Sequence, residues 1–190
     1  HLKHLKKVLQ LLREKGIKLK PSKCRLFQRE VKFLGHLVSA TGYRMDEADR
    51  EAVEALRKQR PQTIGEVRRL LGFLGYFRKY IADFSRRASC LFKLLETSET
   101  RTEKKKNGQA SPRSPVTWTA EHTKVLNELI DCLTSDPVMA YPDFSKQFTL
   151  HVDASQEGLG AVLYQQQKDG RQAVIAYGSR SLTPAEKNYH

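Results

Sequence analysis

The sequence predicts an α+β fold: a helical first half interrupted by a β-hairpin, then a three-stranded sheet with flanking helices. Three observations predict it. Apolar residues recur at helical spacing in several stretches before residue 82. Strand-like segments cluster after residue 146. Between the two, residues 97–115 hold almost nothing that could be buried and read as a solvated, flexible linker.

The first helix is expected to run to about Lys15, with Gly16 ending it in a left-handed conformation. Residues Val31 to Val38 alternate as a strand, and Thr41-Gly42 supplies a hairpin turn. A second helix starts at Asp46 as N-cap, with Glu47 and Asp49 in its first turn, where the helix dipole favours acids. Pro61 separates it from a third helix, which opens on the capping box Thr63-Ile64-Gly65-Glu66 and continues through Ile81.

Beyond the linker, Val116-Thr117-Trp118 leads into a helix from about Glu121 to Leu133, starting after Thr119. Gln147 to Asp153 then reads as a strand, Gly158 to Gln165 as a second, and Gln172 to Ser179 as a third after the turn Lys168-Asp169-Gly170-Arg171. Thr183-Pro184-Ala185-Glu186 supplies the N-cap, first-turn proline and capping glutamate of one more helix. The chain opens at His1 inside the amphipathic pattern Leu2, Leu5, Val8, Leu9, Leu12 and closes at His190 just after that helix start. Both ends are expected to be cuts through longer elements.

A length of 190 residues and 39% hydrophobic content suit one domain or two small ones. No apolar run approaches the roughly 20 residues of a membrane span, and no signal peptide precedes the first helix. Cys24, Cys90 and Cys132 lie far apart with no Cys-x-x-Cys pair, which argues against a disulfide framework or zinc site and for a reducing compartment. Residues 1–95 carry 23 lysines and arginines against 9 acids, so all of the net charge of +13 sits in the first half. A polyanion such as nucleic acid is the economical partner. A merely solubilising basic surface is the alternative.

In the third helix Val67, Leu70, Leu71, Leu74, Phe77 and Ile81 form one apolar stripe, while Arg68, Gly72, Gly75, Tyr76 and Lys79 fall away from it. A glycine inside a helix costs about 1 kcal/mol relative to alanine, so two need a compensating reason. Arg68, Gly72 and Tyr76, spaced by four, present a cation, bare backbone and an aromatic ring in one row beside Lys79. Such a row suits the shallow groove of a duplex, with cations on phosphates and the ring on sugar. The competing reading is a close helix–helix crossing. Similarly, the hairpin Phe33-Leu34-Gly35-His36 is either a small core element or a grip on a strand end.

Asp153, at a strand end, is a candidate catalytic and metal-ligating carboxylate, or simply an Asx-turn residue. Gly158 and Gly160 do not make a dinucleotide fingerprint, because strand rather than helix follows. His36, His122 and His151 lack a partner at ligand spacing and read as structural. Glu186 is read as a capping residue in preference to a second metal carboxylate.

Several segments, taken in order, resemble the Pol polyprotein of gypsy-type long-terminal-repeat retrotransposons. They are Leu19-Lys20-Pro21-Ser22-Lys23-Cys24, Val31-Lys32-Phe33-Leu34-Gly35-His36, the run Val67 to Arg78, Asp136-Pro137-Val138, Val152-Asp153-Ala154-Ser155, and Ala176-Tyr177-Gly178-Ser179-Arg180. The resemblance implies the end of a reverse transcriptase palm with a primer-grip-like hairpin in residues 1–45 and thumb-like helices in 46–96. After the linker it implies a connection and the first, three-stranded part of a ribonuclease H-like sheet in 116–190. In that family the thumb helix tracks the minor groove of the template–primer duplex, and Arg68, Gly72 and Tyr76 match that row. Asp153 matches the first metal-binding carboxylate of ribonuclease H.

The implied cofactor is Mg2+, and the implied partners are an RNA–DNA hybrid or template–primer duplex and the remainder of the polyprotein, with no membrane. The implied setting is intracellular, in cytoplasmic virus-like particles or the nucleus. The palm aspartates would precede His1 and the remaining ribonuclease H carboxylates would follow Tyr189, so neither polymerisation nor hydrolysis is expected of this chain alone. The alternative is an inactive retroelement-derived protein that only binds nucleic acid or another protein.

Overall fold

Apolar residues carry five of the described helices into one core, and two small antiparallel sheets lie against it. The computed structural model describes residues 1–95, 111–135, 137–156, 158–167, 170–183 and 185–188. In order these form α1 (Leu2–Glu14), β1 (Val31–Phe33), β2 (His36–Val38), β3 (Tyr43–Met45), α2 (Glu47–Ala55), α3 (Ile64–Tyr76), α4 (Phe84–Arg87) and α5 (Ser89–Lys93). After them come α6 (Ala120–Thr134), β4 (Phe148–Ala154), β5 (Gly158–Gln166) and β6 (Gln172–Ser181). Linker residues 97–110, Asp136, the turn residues Lys168 and Asp169, Pro184 and Tyr189 lie outside the described residues.

Local chemistry sets the helix ends as the sequence indicates. Gly16 follows α1 at φ 70°. The Asp46 carboxylate, almost wholly buried, accepts from the amides of Ala48 and Asp49 at 2.8 and 3.2 Å and pairs with Lys32 at 2.7 Å, tying β1 to the start of α2. The hydrogen bond from Lys32 holds this carboxyl below its ordinary range. Thr119 caps α6 reciprocally with His122, whose Nδ1 accepts from the Thr119 amide at 3.0 Å, so that histidine is structural.

Two predicted elements are divided. The strand expected from Val31 to Val38 breaks at Leu34-Gly35, both at positive φ (50° and 76°). This two-residue turn pairs Phe33 with His36 and makes β1 and β2 the arms of a tight hairpin. Gly35 has little freedom, since a Cβ there would meet Asp49 Oδ2 at 3.2 Å and Tyr76 Oη at 3.3 Å. The third helix stops at Tyr76 instead of Ile81, because i→i−3 bonds from the amides of Phe77, Tyr80 and Ile81 tighten the chain into a 3-10 turn. Phe77, Tyr80 and Ile81 are buried all the same.

The last five residues of the 97–115 segment, four of them exposed, are hydrogen-bonded to the fold. Ser111 to Pro115 runs along the start of α3, where Ser114 and Pro112 carbonyls accept from the Ile64 and Gly65 amides at 2.9 and 2.8 Å. Those amides are among the four that no helix can satisfy internally.

The helical core continues past residue 116. Leu126, Leu129, Ile130 and Leu133 of α6 are fully buried in the same cluster as Val53, Leu74, Phe77 and Leu91. Arg57 reinforces the join, bonding Glu54 at 2.6 Å and Asp131 at 2.7 Å. Met139 then pairs with Tyr43 through two 2.9 Å backbone bonds, and the Ala140 amide donates to Val174 O at 2.9 Å, so one short strap bridges both sheets. A Cβ on Gly42 would collide with the Met139 carbonyl, which makes glycine obligatory at that crossing.

Candidate nucleic-acid interface

The stripe that buries Val67, Leu70, Leu71 and Leu74 leaves the opposite face of α3 uncovered. Gly72 is exposed and Gly75 half-buried, and a Cβ added at either would meet nothing within 4 Å among the described residues. The helix–helix crossing is therefore absent from the described residues: the glycines open to the outside. Tyr76, 58% exposed, stands one turn on, and Arg68, half-buried, one turn before.

The structure brings the hairpin tip to this same face. Tyr76 Oη donates to Leu34 O at 3.4 Å, and Phe33 and Leu34 project outward, 61% and 74% exposed. Two features that the sequence presents separately thus form one continuous surface of bare backbone, aromatic ring and apolar tip. Val31, Leu37 and Val38 in the arms of the hairpin are half-buried, while the apolar side chains of its tip face solvent.

Lys79 behaves differently from its row. It lies in the 3-10 turn after α3, and its Nζ sits 2.8 Å from His36 Nε2 and 5.2 and 5.4 Å from the ring centres of Tyr43 and Tyr80. His36 Nδ1 lies 3.1 Å from Tyr80 Oη. Partial burial lowers the pKa of both Lys79 and His36 and raises that of Tyr80. The sequence presents His36 both within the candidate grip and as a histidine with no partner at ligand spacing, and periodicity could not reveal that it joins hairpin to helix.

Asp153 lies in β4 opposite Gly160, which lies opposite Ser179, so register places all three on one sheet face. The segment before and into α4 covers that row: a Cβ on Gly160 would collide with the Asp83 carboxylate, and the Ser85 amide donates to Ser179 Oγ at 3.1 Å. Asp83 is held at φ 54° and pairs with Arg86 at 2.8 Å. Asp153 itself is exposed at the rim. Among the described residues the bond seen at the turn after β4 is to Ser155 Oγ, which accepts from the Gly158 amide at 3.3 Å.

Glu186 accepts from the Thr183 amide at 2.8 Å and takes a bidentate pair from Arg180, both arms 2.8 Å. That pair sets its pKa at about 2. It is a capping residue, as the sequence indicates. Among the described residues no three His, Cys, Asp or Glu side chains gather as metal ligands, so Asp153 alone does not make a magnesium site. No helix among the described residues is long and apolar enough to cross a membrane.

Comparison with known proteins agrees with this architecture. Residues 118–190 match the family described as the RNase H-like domain found in reverse transcriptase. Over all 190 residues the chain is 35% identical to the retrovirus-related Pol polyprotein from transposon opus of Drosophila melanogaster. Over 189 residues it is 32% identical to the Tf2-3 transposon polyprotein of Schizosaccharomyces pombe. The chain spans only 18% and 13% of those polyproteins.

Among solved structures, a foamy viral protease-reverse transcriptase in complex with double-stranded DNA superimposes on the whole chain with a TM-score of 0.79 at 26% identity, over 30% of its own length. The same viral protein in complex with an RNA/DNA hybrid gives 0.75 at 25%, over 24% of its length. Residues 118–190 are thus an RNase H-like domain of the reverse transcriptase kind, in a chain whose full length is similar to part of gypsy-type transposon Pol polyproteins.

Proposed function

We propose that this chain is the duplex-holding portion of a retroelement reverse transcriptase/ribonuclease H. The α3 face of Arg68, Gly72, Gly75 and Tyr76 follows the minor groove of an RNA–DNA hybrid or template–primer duplex, while Phe33 to His36 hold a strand end. One observation carries this reading: the open glycine notch and the exposed hairpin tip meet on a single surface, in the half of the chain that holds the excess positive charge. The viral neighbours' complexes with double-stranded DNA and RNA/DNA hybrid support it. The palm-end, thumb-like and connection assignments of residues 1–45, 46–96 and 116–190 belong to the same proposal, as does an intracellular setting.

Asp153 is, in this reading, the first of several carboxylates that hold magnesium in the whole polyprotein. The described residues do not complete that site.

Gly72→Ala separates grip from fold. The new methyl meets nothing in the protein, so helix stability is expected to rise by about 1 kcal/mol. Hybrid affinity is expected to fall several-fold, because the methyl fills the notch where backbone approaches sugar and phosphate. Binding that falls steeply with salt in the parent chain and weakens in this more stable variant supports the proposal. Unchanged affinity would overturn it.

A further inference from the structure

The Lys79–His36 contact has a definite proton inventory. An ammonium only donates, so His36 Nε2, 2.8 Å from Lys79 Nζ, must accept. A neutral imidazole with one accepting nitrogen carries its hydrogen on the other, so Nδ1–H donates to Tyr80 Oη at 3.1 Å. His36 directly follows Gly35 and closes the hairpin turn by pairing with Phe33. Together with the Tyr76 bond to Leu34 O, these contacts fasten the hairpin tip to the end of α3 and the 3-10 turn after it.

We propose that Lys79 is a positioning residue, donating to His36 to keep the hairpin tip aligned with the glycine face of α3, and that protonation of His36 breaks this alignment and loosens the grip on duplex. The inference rests on the duplex-holding reading of that surface.

The charged and titratable groups around His36 decide the sign. Lys79 and Tyr80 face it from the 3-10 turn, the Tyr43 ring lies 5.7 Å away on β3, and the charges of Asp46, which caps α2, and Asp49, in its first turn, act on it. Burial first, and the Lys79 charge second, lower the imidazole pKa, while Asp49 and Asp46 oppose them less strongly. A proton on Nε2 would set two cationic donors against each other at hydrogen-bonding distance. The folded chain therefore binds fewer protons than the unfolded chain in the window below His36's ordinary value of 6.5. The contact is complete above that pH and is lost as pH falls through the lowered folded value. General electrostatics predicts the reverse, since added positive charge strengthens binding to a polyanion.

Two measurements on the full chain test the proposal. In the free protein, the His36 ring followed by NMR should show the Nδ1–H tautomer and an apparent pKa below the ordinary value, which Lys79→Met should raise. Hybrid affinity at constant ionic strength should fall several-fold as pH drops from about 8 through the His36 midpoint read by NMR. In His36→Gln that ratio should collapse or reverse, whatever the variant's absolute affinity.

A His36 titration indifferent to Lys79→Met, or parallel pH profiles for parent and His36→Gln, would overturn the positioning role. Because the titration is read without nucleic acid, it decides that role even if hybrid fails to bind at every pH, the outcome that would overturn the functional reading instead.

Discussion

Leu34 is the residue whose backbone runs most plainly against its side chain. It holds φ at 50° in a turn position that suits asparagine or glycine, and 74% of its surface faces water. A bulky residue in the left-handed region costs about 1–2 kcal/mol. The Tyr76 bond is to the Leu34 carbonyl, which any residue would offer; in the duplex-holding reading the leucine side chain adds an apolar tip that meets a nucleic-acid strand. Leu34→Asn is accordingly expected to raise the denaturant midpoint by an amount equivalent to about 1 kcal/mol and to weaken hybrid binding. Loss of stability, or unaltered binding, would remove the functional account of the strain. The motif through His36 was legible in the sequence, whereas the strand break within it was marked only by Leu34, which interrupts the alternation beside Gly35.

The three glycines of α3 offer an experiment within one element. Gly72 and Gly75 open to empty space, but a Cβ on Gly65 would lie 2.9 Å from the Pro112 carbonyl and 3.3 Å from Pro112 Cβ. Helix propensity alone predicts that alanine stabilises all three sites by about 1 kcal/mol. The structure instead predicts a gain at 72 and 75 and a loss at 65, where the methyl pushes away the backbone that caps the helix start. Equal effects in thermal unfolding would show that the 111–115 strap is not held there. Composition correctly marked residues 97–115 as poor in core-forming side chains. It could not register that backbone carbonyls, which every residue owns, satisfy the first amides of a helix about fifty residues earlier in the chain.

At the scale of the whole molecule, α6 decides how the chain holds together. Its apolar residues fill the core built by α2, α3 and α5, and Arg57 pairs across the same join. A chain carrying an engineered protease site between residues 97 and 110 is therefore expected, once cut, to migrate as one particle and to unfold in one transition. Separation of residues 1–96 from the remainder under native conditions would refute a shared core. The charge distribution belongs to this scale as well: the basic first half supplies the face that duplex would meet, while the sheet presents Asp153 at its rim beside Asp83 and Arg86.

The sequence by itself determined the α+β class, the caps at Asp46, Thr63, Thr119 and Thr183, the apolar stripe of α3 and the family resemblance. Each of these is written in neighbouring residues or in a fixed period. Only the tertiary structure decided that the hairpin tip and the glycine notch share one surface, that Lys79 serves His36 instead of pointing outward with the rest of its row, and that α6 belongs to the helical core. Those outcomes depend on contacts between residues more than forty positions apart, formed by packing and hydrogen-bond satisfaction that no local pattern encodes.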